Sequence, residues 1–488
     1  MWGGRHGSKD RLPTMDDLKK GREYELLVEK LVFGGKALAR VEGLVVFMDH
    51  AVPGQRVRAL ITRKKRQYCE ARVVEVLSQS EAHTEPVCPH FGVCGGCQWQ
   101  DIAYEEQLKW KRVQVADSLE HLAGAQGVKI EAAVPSDRLI HYRNKMEFTF
   151  SDRRWLTPEE IDAAGMRDAY TFTLGLHVRS WFDKVFNVED CLLESAEAVE
   201  IVKETRDWCR GSGVPAYGIK SQRGFWRFLV IREGKRTGQT LLHLVTSDQP
   251  EHEAAVNTLT RHLVSRFPHI TTVVHSVSRK KAQVAFGDQS RVVAGPGVIE
   301  ERLGGLRFRI SAESFFQTNP FSAEKLYDEV SRLAAFQGTE TVWDLYCGTG
   351  SIALSVAPRV ARVVGFEVVD QAIEDACVNA RLNGIENARF ISGDLKERIN
   401  HARGPGSGEH HPDIVITDPP RAGMHPQVVG ALLEMGPGRI IYVSCNPATL
   451  ARDLAFFTER YEIGTVRPFD LFPHTPHIEC VVRMDRKR

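Results

Sequence analysis

From about Phe316 onward the chain alternates strand and helix strictly, and this constrains its fold more than any other feature. Strand-length apolar runs, TVWDLYC, RVVGFEV, ARFISGD, DIVITDPP, RIIYVSC and IECVVRM, are interleaved with the helical patterns IALSVA, QAIEDACVNARLNG, PQVVGALLEMG and ATLARDLAFFTER. Strands separated by helices line up in parallel with helices on both faces, which gives a doubly wound α/β sheet. Such sheets bind ligands outside the carboxyl ends of their strands, so the residues that end each strand are the first candidates for chemistry. The stretch Arg403 to Pro412, RGPGSGEHHP, reads as a polar, glycine-rich surface loop.

Upstream the pattern is different. From Tyr24 to about Leu77, short alternating runs punctuated by Gly and Pro predict a small β-barrel carrying a basic run, Arg63, Lys64, Lys65 and Arg66. Between Cys88 and about Leu306, a helix over IAYEEQLKWKRVQVADSLEHLAG, strands such as YRNKMEFTFS and a hairpin turning at GKRTG predict an α+β unit. A length of 488 residues fits the resulting division into 17–80, 81–315 and 316–488. The net charge of +1 means that any polyanion site must be a local patch. The opening residues contain no apolar export core, and no apolar run is long enough to span a bilayer, which points to the cytoplasm and away from membranes. In that compartment the ten cysteines are expected to be reduced, serving metals, chemistry or packing.

In WDLYCGTGSIAL, Gly348 and Gly350 follow a strand and open a helix, a geometry that brings backbone N–H groups against a ligand. Glu367 ends the next strand, where an acid can accept the protons of ribose hydroxyls. Gly348, Gly350 and Ala353 also fit the dinucleotide pattern G-x-G-x-x-A, so an oxidoreductase is a rival reading. Acids at successive strand ends favour a different ligand. Asp344 within the strand, Asp394 in ISGD and Asp418 in ITDPPRAG would repel a pyrophosphate. They suit a cationic, amino-acid-bearing nucleoside such as S-adenosylmethionine. Taken singly, Asp394 reads equally as a helix N-cap.

DPPR places Arg421 where amine methyltransferases carry an aromatic residue that stacks on the base, so methylation of an exocyclic amine is disfavoured. Methylating carbon 5 of a uracil needs a thiolate that adds to carbon 6, and then a base that removes the carbon 5 proton so the thiol can leave. Cys445, at a strand end in YVSCNPATL, and Glu479, in TPHIECVV, can supply the two groups. Separately they read as well as a packed thiol and a solvated charge. A thiol of ordinary pKa, roughly 8.5, needs help to ionise, and Arg421 is expected to give part of it. In CPHFGVCGGCQW, Cys88, Cys94 and Cys97 have metal-ligand spacing, with Cys191 further along and His90 as a substitute. Structural zinc and an iron–sulfur cluster both fit.

The combination of these cysteines with YRNKMEF, FFQTNP, DLYCGTG, DPPRAG, VSCNPATLARD and HIE resembles the S-adenosylmethionine-dependent RNA uracil-5-methyltransferases, specifically the bacterial 23S ribosomal RNA branch, over nearly the whole chain from about Leu18. The resemblance implies a C-terminal Rossmann-like class I methyltransferase domain, an N-terminal TRAM barrel of OB-like form and a central α+β domain with an iron–sulfur cluster. It puts Gln317, Tyr346, Ser351, Glu367, Asp394 and Asp418 on the S-adenosylmethionine positions, Ser351 being the loosest match. It makes Cys445 the nucleophile, Glu479 the base, and Cys88, Cys94, Cys97 and Cys191 the ligands of a [4Fe-4S] cluster. The implied partner is RNA, most specifically 23S ribosomal RNA with the uridine turned out of its context, handled by a monomer without obligate protein partners. The T-loop uridine of transfer RNA is the alternative substrate; the alternative of another class is a Rossmann-type oxidoreductase with an iron–sulfur centre, and a third is a non-catalytic RNA-binding or assembly protein. Trp99, Trp155 and Trp226 are candidate stacking platforms, although each reads more readily as a core residue.

Overall fold

The computed structural model describes residues 18–122, 127–156, 172–402 and 411–488, so most of the Arg403 to Pro412 loop lies outside the described residues. Three large sheets follow one another along the chain. The first has six strands, Glu23–Leu27, Lys30–Leu31, Ala37–Val41, Leu44–Asp49, Arg56–Lys64 and Tyr68–Ser78, in the region expected to form a barrel. In Arg56–Lys64 the alternating Val57, Ala59 and Ile61 enter one core while the strand ends in exposed charges. Arg63, Lys64, Lys65 and Arg66 are all exposed around the turn into the next strand. Arg63 lies 3.8 Å from Glu70, and Lys64 Nζ donates to the Leu18 carbonyl at 2.8 Å.

The core of this sheet also takes in Trp99, Ile102 and Trp110, from the segment and helix (Tyr104–Leu122) that follow. This overturns one expectation. Trp99 is 1% exposed and Trp226, in the next sheet, 0% exposed, so neither offers a face to a base, and Trp155 packs against the second core. The apolar area gained by burying these large rings outweighs any use of them at the surface.

The second sheet has seven strands, with Lys145–Ser151, Trp226–Glu233 and Thr240–Thr246 at its centre, and shares a core with helices Ala196–Gly211 and Glu253–Arg266. The third is the doubly wound sheet. In spatial order its strands are Ala388–Ser392, Arg362–Glu367, Thr341–Leu345, Ile414–Thr417, Arg439–Ser444, Glu479–Arg486 and Tyr461–Phe469. The first five are parallel, Glu479–Arg486 runs against them, and Tyr461–Phe469, antiparallel to its neighbour, runs with the first five again. Successive residues of Arg439–Ser444 alternate between two cores, Ile441 and Val443 on one face, Ile440 and Tyr442 on the other.

The Tyr461–Phe469 strand is not left as a bare edge. Residues of the central domain pair with it in parallel at Ile130↔Val466 and Val134↔Phe469, and Glu131 and Val134 donate N–H bonds of 2.9 Å to the carbonyls of Val466 and Pro468. Among the described residues no helix is long and apolar enough to cross a membrane.

Candidate active site

The order of strands in the third sheet sets the order of the candidate residues. Asp394, Glu367, Tyr346, Asp418 and Cys445 end, or directly follow, five neighbouring parallel strands; Glu479 begins the antiparallel strand beside the last of them. All six therefore lie along one rim. Strands about 4.8 Å apart put Glu367 about 14 Å from Cys445, room for a nucleoside with an amino-acid arm and then a flat base.

Cys445 and Glu479 meet through the register. Ser444 pairs with Cys480, so the ladder carried one step further sets Cys445 opposite Glu479. Val443 and Val481 lie in the same core, whereas Cys480 faces the other one, so side chains of Cys445 and Glu479 share a face. Cys445 is half-buried and Glu479 only 5% exposed.

The loop carrying Arg421 is tied to the helix after Cys445 (Pro447–Phe457). Asn446 caps that helix, accepting from the N–H groups of Ala448 and Thr449, and its own amide donates to the Arg421 carbonyl at 3.0 Å. Thr449 Oγ1 donates to the same carbonyl at 3.2 Å, Arg452 donates to the Ala422 carbonyl at 2.9 Å, and the Asp453 carboxylate accepts from Met424 N–H at 2.8 Å and the Tyr442 hydroxyl at 2.7 Å. Gly423 sits at φ +77 with no room for a Cβ, which would fall 2.6 Å from the Asp453 carboxylate. NPATLARD is thus the clamp on PPRAG, and it fixes Arg421 beside the thiol.

Burial pushes both members of the pair toward their uncharged forms. Burial raises the Cys445 thiol to about 12, with Glu479 and Asp418 adding to the rise and Arg421 opposing it. Arg421 acts in the expected direction, but desolvation outweighs it. Burial likewise raises Asp418 to about 7. Glu479 goes well above the usual carboxylate range through burial and the nearby Asp418, against the pull of Arg421 and Lys111. Of two adjacent buried carboxyls, one keeps its proton.

The glycine loop is built as the sequence suggests. Gly350 adopts φ +80, and a Cβ there would lie 2.9 Å from the Phe390 ring. Tyr346, before it, holds φ +65, a conformation non-glycine residues seldom adopt. Glu367 accepts Gly348 N–H at 3.2 Å and the N–H groups of Val368 and Val369 at 2.8 and 3.0 Å. The Ser351 hydroxyl meets that of Tyr327 at 2.8 Å. Asp344, expected to receive an ammonium, is instead fully buried under the loop and accepts Ala353 N–H at 2.9 Å. Asp394 is exposed and accepts Lys396 N–H at 3.0 Å, as an N-cap does. Gln317 is buried, its carbonyl receiving the Asn144 amide at 3.1 Å, which joins YRNKMEF to FFQTNP.

Before the rim opens a cavity of about 640 Å³, bounded by His477 and Phe315 on the catalytic side and by Arg143, Lys145, Arg232 and the Cys94–Gly96 turn on the central domain. His477 Nδ1 accepts from the Arg421 guanidinium at 3.3 Å and is lowered to about 4 by burial, Arg421, Lys111 and Arg143, so it is neutral at pH 7. Sequence reasoning missed Arg143, Lys145, Arg232 and His477. Only their basic type, within motifs quoted for other reasons, could have flagged them.

The four cysteines come from two segments. Cys97 is within electrostatic reach of Cys191, Cys94 and Cys88, and burial raises the thiols of Cys94, Cys97 and Cys191 to about 11, 12 and 12. Gly96 N–H points at Cys94 Sγ at 3.3 Å. Among the described residues, no group of three or more His, Cys, Asp or Glu side chains stands arranged to hold a metal ion. His90 is engaged elsewhere, its Nε2 accepting Glu189 N–H at 3.0 Å.

Comparison with known proteins agrees with this architecture. The family described as tRNA (Uracil-5-)-methyltransferase matches residues 248–487, and the TRAM domain matches residues 17–74. An RNA methyltransferase of Nitratidesulfovibrio vulgaris is 40% identical over 475 residues, covering 97% of this chain and 98% of its own, and one of Porphyromonas gingivalis is 41% identical over 466 residues, covering 94% and 99%. Among solved structures, the Pyrococcus abyssi tRNA (uracil-54, C5)-methyltransferase in complex with S-adenosyl-L-homocysteine superposes with a TM-score of 0.71 at 27% identity, covering 94% of this chain and 99% of its own. On a doubly wound sheet with a TRAM domain before it, and with relatives matched end to end, the chain belongs to the S-adenosylmethionine-dependent RNA uracil-5-methyltransferase family.

Proposed function

We propose that this enzyme methylates carbon 5 of a uridine in 23S ribosomal RNA, with Cys445 as nucleophile and Glu479 as base. The observation that carries this reading is the register that sets Cys445 opposite Glu479 at the rim, next to the line of Asp418, Tyr346 and Glu367. S-adenosylmethionine supplies the methyl group, held by Gln317, Tyr346, Ser351, Glu367, Asp394 and Asp418. Cys445 loses its proton to solvent, adds to carbon 6 as the thiolate and makes carbon 5 nucleophilic enough to take the methyl, with S-adenosylhomocysteine as the leaving group. Glu479 removes the carbon 5 proton, the 5,6 double bond re-forms, and the carbon–sulfur bond breaks to return the thiol. Because burial raises the thiol, its ionisation must accompany addition, and Arg421 is the cation that opposes the rise; Glu479 takes the carbon 5 proton in its carboxylate form.

Cys88, Cys94, Cys97 and Cys191 would hold a [4Fe-4S] cluster in a structural role, because methyl transfer has no redox step. Support comes from the convergence of four thiols from two segments and from the N–H aimed at one of them. Iron and acid-labile sulfide in anaerobically purified protein test this, and stoichiometric zinc without sulfide would replace it. We place the domain divisions at 17–80, 81–315 and 316–488 and read the enzyme as a cytoplasmic monomer.

The substrate choice rests on the TRAM module occurring together with the four cysteines. The second reading is the transfer RNA T-loop uridine, favoured by the solved neighbour acting on tRNA uracil-54. Methyl transfer from labelled S-adenosylmethionine onto total RNA lacking 5-methyluridine, with RNA classes separated, decides between them. We expect 5-methyluridine in the large ribosomal RNA. Label in transfer RNA alone would keep the chemistry and replace the substrate, and no label from intact protein would overturn the catalytic reading.

A further inference from the structure

Glu479 is delivered to the rim by Asp470–Ile478, the connection between the last two strands, and besides turn bonds of its own this segment is tied to other parts of the chain. Its successive carbonyls are taken one after another. Leu471 O accepts the Asn319 amide at 2.9 Å, Phe472 O the Lys111 ammonium at 3.2 Å, Pro473 O the Tyr142 hydroxyl at 3.1 Å, and His474 O the N–H groups of Gln98 and Trp99 at 2.9 and 3.0 Å. His474 N–H donates to Gln107 Oε1 at 2.9 Å, while Gln107 Nε2 donates to Trp99 O and Ile102 O at 2.9 and 2.8 Å. His474 sits at φ +65, a conformation that such a set of bonds can impose on a non-glycine residue.

Lys111 is the charged member of this set. It enters from the Tyr104–Leu122 helix and meets Asp470 at 2.5 Å, with both side chains 0% exposed. A buried pair of this kind fixes geometry more than it adds stability, since desolvation opposes the Coulomb gain. Glu479 is faced by Lys111 from the helix, by Asp418 and Arg421 from the loop after the fourth strand, by Cys445 across the ladder and by Tyr327 from the Pro320–Ala334 helix. Lys111 and Arg421 are the two cations in that ring, and Lys111 is the one shut away from solvent.

We propose that the central domain braces the catalytic base: Lys111, through its ion pair with Asp470, and Gln107, through His474, are positioning residues that set Glu479 against carbon 5 for the elimination step. The proposal rests on the reading of Glu479 as base. It separates two halves of the reaction, because Lys111 and Gln107 bond to the segment of Glu479 and not to that of Cys445, although their helix also packs on Pro447–Phe457 through Val115 and Leu119.

The test measures the halves apart. Lys111→Met leaves Asp470 buried without a counter-charge and endangers the fold, so the paired K111M/D470N variant is the decisive one, with K111R as the conservative control and Q107L as an independent cut in the brace. Folding is checked by thermal melting and S-adenosylhomocysteine binding. Addition and methyl transfer are read as covalent trapping on 5-fluorouridine RNA, and elimination as release of the methylated adduct on ordinary uridine RNA. For K111M/D470N we expect trapping within about twofold of the parent and release at least about tenfold slower, with adduct visible at steady state. Q107L should show the same split more weakly, and K111R should restore release. Folded variants that release at the parental rate, or that lose trapping and release in parallel, overturn the brace. Normal release by E479Q measured alongside would strike instead at the base assignment beneath it.

Discussion

Thiols gather in two places in this molecule, at the rim of the catalytic sheet and in the turn of the central domain, and burial raises them almost equally. Cys445 goes to about 12, as do Cys97 and Cys191. Their neighbours differ. Cys445 stands among two carboxyls and a guanidinium, groups that can take up and return protons, whereas Cys97 has three other thiols around it. Cys480 supplies the contrast, one residue from Glu479 yet 0% exposed in the opposite core. Burial alone therefore does not mark a candidate reactive cysteine, and neither does a charged neighbour, since Glu479 also acts on Cys480; a place at the open rim among several such groups does.

The most forceful way to break this comparison is to exchange the thiols for methyl groups. Cys445→Ala should lower methyl transfer by about 10³-fold or more and abolish trapping on 5-fluorouridine RNA. Cys480→Ala should leave transfer within about twofold and cost about 1–2 kcal/mol in a denaturation series. Equal losses from both would erase the distinction between rim and core. Next in size, Glu479→Gln should let the methylated adduct accumulate on uridine RNA, seen as a slow-migrating protein band. Rapid turnover by this variant would pass the base role to another group.

A substitution in the turn sharpens the contrast from the other side. Cys97→Ser should lower the melting temperature and the iron content while trapping by the surviving folded fraction persists. Trapping that vanished from fully folded protein would tie the turn to the chemistry. The smallest expected effect is on reactivity in the resting enzyme. Only the thiolate reacts with iodoacetamide, so alkylation of Cys445 should climb about tenfold per pH unit above neutrality with no plateau before about pH 10. Arg421→Ala, which removes the side-chain charge that lowers this pKa, should slow it a further few-fold at any given pH. A plateau near neutral pH would show that the thiol is already ionised.

Much of the catalytic sheet was legible because a strand buried on both faces announces itself by an apolar run ended by Asp, Glu or Cys. The edge strand Tyr461–Phe469 was passed over, since Gly464, Thr465 and Pro468 break its pattern and a register shift between Ile463 and Val466 matches that break. Cys445 and Glu479 could be picked out for their chemistry, but their apposition came only with the register. The burial of Glu479 and the ion pair between Lys111 and Asp470 had no local signal at all. Their determinants are 359 residues apart in the chain, and a lysine in a helical pattern ordinarily faces water. The tryptophans illustrate the converse, since a residue type suited to stacking is equally suited to filling a core.

The parallel pairing of Ile130 and Val134 with the last sheet has a consequence for anyone dividing the molecule. An uncovered edge strand offers unpaired N–H and C=O groups to any similar edge it meets, and self-association follows. A fragment beginning at residue 316 would retain Tyr461–Phe469 but lose the chain that covers it. Such a fragment should form oligomers or precipitate through that edge, and carrying the cut back to include Lys129–Asp137 should restore its solubility before it restores any activity.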